Sequence, residues 1–212
     1  MLKRVINKIA CEVTCFILKI KYRKTISFTK INARKLSITN NGINNFIQIG
    51  EHCNMTNCSF LFMGNNNKII IGERVKLDGV TFWIEDDNNT INLGKKTTFE
   101  SGTQLAACEG TNIIIGEDCM FSNNISIRTT DSHSILDKNN IRINMANNIY
   151  IGNHVWVGLQ TLILKGSFIS DNSIVGARSI ITKSSPCEPN CIIAGHPVKI
   201  VRKNIKWSRK RI

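Results

Sequence analysis

The chain has no apolar run long enough to cross a bilayer. Its most apolar stretch, MLKRVINKIACEVTCFILKI at residues 1–20, starts basic and is interrupted by Glu12 and Lys19. It is too short to span, and no small-residue cleavage site of a secretory signal follows it. Histidine is scarce: His52, His133, His154 and His196 are scattered without ligand spacing, which argues against a three-histidine metal centre. Cysteine is not scarce, but Cys187 and Cys191 form a single CEPNC pair with no second pair to complete a zinc site. No metal is expected. Cys53, Cys58 and Cys119 fall where small apolar residues are wanted, a common role of the free thiol. Reduced thiols point to the cytosol.

Acid is missing from both ends. Residues 1–35 hold ten Lys or Arg and one acid, residues 196–212 hold seven and none, and the middle is slightly acidic. Basic ends suit an anionic partner: phosphate, nucleic acid, anionic lipid or an acidic glycan.

What is present is a beat of six. From Ile151, every sixth residue is aliphatic: Val157, Ile163, Ile169, Val175 and Ile181 follow. Four places after each of the first five stands a small or β-branched residue: Val155, Thr161, Ser167, Ser173, Ser179. This period fits neither a helix face nor an alternating strand. It fits a solenoid of short parallel strands, three hexads closing a triangular coil of 18 residues. Upstream the phrase recurs at Ile71, Leu93 and Ile115, 22 residues apart. Polar stretches such as EDDNNT and CEGTN supply four extra residues per coil. From Ile115 to Ile151 the interval is 36, so a long loop leaves the prism after Ile127. Long loops on rigid scaffolds are often functional.

That loop carries His133 between Asp131 and Asp137. An imidazole is well matched to proton transfer near neutral pH. Trp156 precedes the inward Val157, so it points outward and wants a partner. His154 also points outward and reads as a solvent-facing histidine. After the prism, Gly195 and Pro197 make a turn, and Lys199, Arg202 and Lys203 form either a phosphate-binding cluster or a solvated helix face. At the other end Leu2, Val5, Ile6, Ile9, Val13, Phe16, Ile17 and Ile20 have helical spacing, with Lys3, Arg4 and Lys8 elsewhere on the wheel. Such a helix lies on an anionic membrane surface, or packs on the prism or a sister subunit. The expected divisions are a basic amphipathic extension at 1–35, a β-helix at 36–185 with a loop at about 129–148, and a basic tail at 186–212.

The hexads of 151–183, the DSHSI loop, the NHVWVG and ILKG phrases and the AGHPVKIV tail resemble the left-handed β-helix, hexapeptide-repeat acyltransferases. More narrowly, ISIRTTDSHSI, RIN, IYIGNHVWVG, LILKG and EPNCIIAGHPVKIVRKNIKWSRK resemble bacterial capsular polysialic-acid O-acetyltransferases. The resemblance covers roughly residues 112–210. It implies an all-β, left-handed parallel β-helix with short helical extensions at both termini; handedness comes from the resemblance alone, since ordinary parallel crossovers are right-handed. It further implies a homotrimer with active sites between subunits and acetyl-CoA along the C-terminal coils. The family histidine falls on His133 and the family tryptophan on Trp156. Residues around the cofactor fall on Trp156, Gly158, Ala177, Lys183, Lys199 and Arg202. Val198 and His196 depart from the family's tail motif, where Ala and Asn or Ser are usual.

These residues suit direct acetyl transfer to a sugar hydroxyl. A base removes the hydroxyl proton, the oxygen attacks the thioester, and a fixed N–H steadies the oxyanion. No cysteine or serine nucleophile is required. Asp131 or Asp137 would orient the imidazole. The expected acceptor is a sialic-acid-containing polysaccharide, modified in the cytoplasm at the inner membrane face; no nucleic-acid partner is expected. Other acceptors are an O-antigen, a nucleotide sugar or a small saccharide. A reading of another class is a non-catalytic basic scaffold at the membrane.

Overall fold

The computed structural model describes residues 2–211, and their side chains apart from those of residues 2–5 and 7. Helix α1 (Leu2–Lys21) leads into 23 short strands among these residues. The strands visit three sheets in turn, so the chain winds a triangular prism. The first sheet runs from Ile26–Phe28 to Phe168–Ile169, the third from Ser37–Asn40 to Ile180–Ile181. The second runs from Asn32–Arg34 to Ile192–Gly195 and ends on Val198–Arg202, the sheets' one antiparallel neighbour. The winding matches left-handed β-helix structures.

Stacking explains the beat. Ile47, Ile69, Ile91, Ile113 and Ile149 are register partners in the first sheet, so each aliphatic residue sits over its equivalent one coil away. Phe60 and Phe82 stack with centroids 4.8 Å apart, and Phe99 and Phe121 at 4.2 Å. All are buried. Each coil leaves its backbone unpaired until the next coil is laid on it, so stability is shared between neighbours. Gly follows the aliphatic residue because the coils touch there: at Gly116 a Cβ would lie 2.6 Å from the Gly152 carbonyl oxygen.

The four extra residues of the long coils fall at the edge between the third and first sheets. There Asn45, Asn67 and Asn89 are buried in a column. The backbone N–H of Asn67 donates to Asn45 Oδ1 at 2.9 Å, that of Asn89 to Asn67 Oδ1 at 2.8 Å, and that of Thr111 to Asn89 Oδ1 at 2.9 Å. Each amide also donates to a carbonyl, of Gly64, Asp86 and Glu85 respectively. The ladder satisfies buried polar groups that would otherwise be costly.

Three expectations change. The prism begins at Ile26, not at residue 36, because Ile26 and Ala33 already stack on Ile47 and Met55. The polar residues Thr29 and Lys30 between them hide the beat. The C-terminal extension is not helical: Ile192–Gly195 and Val198–Arg202 form a hairpin turned at His196–Pro197, since β-branched Val198, Ile200 and Val201 favour a strand. The last residues then run back as a strap along the edge between the first and second sheets. Ile205 N–H donates to Asn190 O at 2.9 Å. Trp207 stacks on His154 at 3.9 Å and donates its indole N–H to His154 O at 2.9 Å. Arg209 reaches Asp118 Oδ1 at 2.8 Å and the Cys119 carbonyl at 2.6 Å. His154 is therefore not a free surface histidine; its Nδ1 lies 2.8 Å from Asp118 Oδ2.

Helix α1 packs on the first coil with Leu18, 2% exposed, and with Cys11 and Cys15, whose thiols approach Ile31 O; just past its end the Tyr22 hydroxyl donates to Ile38 O. Ile6, Ile9, Val13, Phe16, Ile17 and Ile20 stay exposed in a stripe; Leu2, Lys3, Arg4 and Val5 of the expected wheel lie outside the described side chains. No helix among the described residues is long and apolar enough to cross a membrane.

Candidate active site

The loop is a built arm rather than a slack connection. It leaves the edge between the third and first sheets after Thr129, which is buried and accepts the Cys108 N–H at 3.1 Å. Asn147 N–H returns to Thr129 O at 2.9 Å and closes the base. Farther out, Ile143 N–H donates to Ile135 O at 2.9 Å, and Leu136 bridges Arg142 in antiparallel fashion. Asp137 makes the tip: its Oδ1 accepts the N–H groups of Asn139 at 2.8 Å and Ile141 at 2.9 Å.

Two polar clamps fix the arm to the prism. Arg142 forks onto Glu109, with Nη1 2.6 Å from Oε2 and Nη2 2.8 Å from Oε1. Lys165 Nζ lies 2.6 Å from Asp131 Oδ2. The Arg142 fork, helped by Thr130, holds the Glu109 carboxyl below the usual range; Lys165 and then Asn144 do the same to Asp131. The hub is Asn144, 8% exposed in an otherwise open arm. Its Oδ1 accepts Ile135 N–H at 2.7 Å, and its Nδ2 donates to His133 O at 2.8 Å and to Asp131 Oδ2 at 2.9 Å. His133 is thus gripped through its own carbonyl and by the residue two places on, while its imidazole stands exposed. Neither carboxylate expected to orient it does so among the described residues. Asp131 holds Lys165 and Asn144, and Asp137 caps the tip.

Trp156 lies on the second sheet, 38% exposed, in register between Met120 and Ile174. That sheet is the face opposite the edge from which the arm leaves. One chain therefore does not unite His133 with Trp156. Gly158 and Ala177 do meet, at the edge between the second and third sheets, where a Cβ on Gly158 would lie 2.6 Å from Ala177 N. Lys199 faces Ala194 across the hairpin and Arg202 faces Ile192. Lys183 lies apart from them, beside Asp131, Lys165 and Thr182 in a cleft of about 510 Å³ at the arm's base. The expected cations thus form two groups. Sequence reasoning missed Asn144, Lys165 and the Glu109–Arg142 clamp; the only trace of Asn144 was the short phrase RIN. No group of metal-ligating side chains occurs among the described residues, and all eight cysteines are free thiols.

No family model matches the chain. The crystal structure of the polysialic acid O-acetyltransferase OatWY superposes with a TM-score of 0.76 and 32% identity, covering 88% of this chain and 93% of that one. The polySia-specific acetyltransferase NeuO gives 0.66 and 31%, covering 83% of both. In sequence, the polysialic acid O-acetyltransferase of Escherichia coli O1:K1 / APEC is 38% identical over 93 residues, 43% of this chain and 30% of that protein. The chain's local sequence match thus spans less than half the length of that curated relative, whereas the structural match to OatWY runs nearly end to end. On fold, register and full-length similarity, the chain belongs to the left-handed β-helix, hexapeptide-repeat acetyltransferase family, close to its polysialic acid O-acetyltransferases.

Proposed function

We propose that the chain transfers an acetyl group from acetyl-CoA to a hydroxyl of a sialic-acid-containing bacterial surface polysaccharide. The observation that carries this reading is the clamped arm presenting an exposed His133 on a scaffold matching OatWY over 93% of that protein's length. The thioester supplies an already activated acetyl group. His133 takes the proton of the acceptor hydroxyl as its oxygen bonds to the acetyl carbon, and returns it to sulfur as the carbon–sulfur bond breaks. Asp131 supports this at one remove, by fixing Asn144 and Lys165. Trp156 walls the cleft, and the Gly158–Ala177 edge leaves room for the pantetheine chain because neither residue projects a bulky side chain. Lys199 and Arg202 hold phosphates from the hairpin, with Lys183 at a separate edge.

The working form is a homotrimer with sites between subunits. Ile135, Leu136, Ile141, Ile143 and Met145 on the arm are all exposed, an apolar surface that suits a neighbour's face. Placing one subunit's arm against the next subunit's second sheet brings His133 to Trp156. We place the enzyme in the cytoplasm, held at the inner membrane face by the exposed stripe of α1.

Release of free thiol from acetyl-CoA tests the reading. Sialylated acceptors should support it and neutral saccharides should not. His133→Ala should lower kcat by roughly 10²–10⁴ with melting unchanged. Equal rates on neutral saccharides would replace the acceptor, and a fully active alanine variant would remove His133 from the mechanism.

A further inference from the structure

We propose that the outer face of the second sheet, on the N-terminal side of Trp156, is a binding groove for an extended acidic glycan, running from the reaction centre down to helix α1. This rests on the acceptor reading above and adds where the rest of the chain lies. Two grooves of about 620 Å³ each lie on this face. They adjoin at Arg34 and Asn54, which line both, and so lie end to end along one channel-like track. The floor of the upper part is a single register column: Asn54, Lys76, Thr98, Met120 and Trp156. The lower part is floored by Lys30 and Asn32 and walled by Lys8 and Lys19 of α1.

The chemistry of the lining selects the ligand class. Lys76, Arg34, Lys30, Lys19 and Lys8 line the channel, with Arg209 at its upper end paired to Asp118, against Asp78, Glu100 and Glu12. Cations thus recur along its whole length instead of gathering at one phosphate-sized point. Asn54, Thr56 and Thr98 add neutral polar groups that suit hydroxyls. From the strand of Trp156 to that of Arg34 there are five steps across the sheet, about 24 Å. That is far longer than one sugar ring, so the channel addresses a chain. It also lies on the opposite side of Trp156 from Lys199 and Arg202. The two substrates then approach the tryptophan from opposite ends of the prism.

The test uses the full chain and sialic acid oligomers of two residues and of many. Lys30→Glu combined with Lys76→Glu should raise KM for the long acceptor roughly tenfold more than KM for the dimer, and should flatten the salt dependence of the long-acceptor KM. A thermal melt like that of the parent confirms the fold. Equal changes in KM for both acceptors, or none, would overturn the groove. A parent enzyme that needs sialylated acceptors but ignores their length would also overturn it, while leaving the proposed reaction standing. A parent enzyme equally active on neutral glycans would instead sink the acceptor reading beneath it.

Discussion

His133 and Asn144 divide one task between two side chains. In the proposed mechanism the imidazole brings the proton chemistry, and among the described residues it has no side-chain partner. The amide has no proton to give at neutral pH, but it holds the backbone on both sides of the base. Removing it leaves Ile135 N–H and His133 O to water, which costs about 0.5–1.5 kcal/mol per bond. It also frees the base to drift, and a misplacement of about 1 Å can cost roughly 10²-fold in rate. Asn144→Ala should therefore lower kcat at least tenfold, with a smaller change in acetyl-CoA KM. The pH–rate profile should keep its shape, because an amide does not titrate. A variant with parental kcat would show that the arm positions His133 without this hub. His133 was legible in the sequence because a break in the beat marks a loop and a histidine in a loop has one obvious chemistry. Asn144 was not, because its value comes from the path of the folded arm, which no spacing encodes.

Among the elements, the arm should be acid-labile. Glu109 and Asp131 carry carboxyls held below their ordinary range by Arg142 and Lys165. Carboxylates depressed in the folded state contribute stability above their unfolded values, near pH 4. That contribution is lost as pH falls through the depressed folded values. Amide protection at Ile135, Ile141 and Ile143 should hold from neutral to about pH 5 and then decline as acid reaches the clamps. Arg142→Gln should lower protection at neutral pH and weaken its acid dependence. Protection that is flat down to the global acid transition would argue that packing, not the clamps, holds the arm.

Helix α1 answers to a separate measurement. Leu18 and Tyr22 fix it to the prism from one side, so the exposed stripe can be altered without unseating it. Ile9→Glu with Phe16→Glu should release the full chain from anionic vesicles and leave the melting temperature near that of the parent. Retained vesicle binding would assign the stripe to something other than lipid. A change in oligomeric state would assign it to a sister subunit. The periodicity of this helix was readable from residues 6–20; which of its faces meets the prism was not, because cysteine and leucine on one side compete with isoleucine and phenylalanine on the other.

For the whole molecule, the decisive property is that the arm and Trp156 occupy opposite parts of one prism. If sites form between subunits, His133→Ala and Trp156→Ala chains, each inactive alone, should regain partial activity when refolded together. Only a mixed assembly places a sound histidine against a sound tryptophan. No recovery in mixed assemblies would show that His133 and Trp156 do not share a site between subunits. The coil arithmetic of 18, 22 and 36 residues was visible in the sequence because every inward position repeats. The strap was not: His154 and Trp207 are 53 residues apart and share no pattern.

A stack of identical coils has no natural length, and here the length is set by its two closures. Helix α1 covers the first coil, and the hairpin turns the last strand of the second sheet back on itself, which blunts the edge on which another copy would add. Between helix α1 and the arm the 22-residue coils are interchangeable in outline, with Asn45, Asn67 and Asn89 as their repeating joint. Gain or loss of one 22-residue unit below the arm would leave the closures and the arm intact. It would change only how far the face beneath Trp156 extends, in increments of about 4.8 Å. If the groove proposed above holds the acceptor, the prism is in this sense a ruler, and relatives built with different numbers of coils would measure out acceptors of different length.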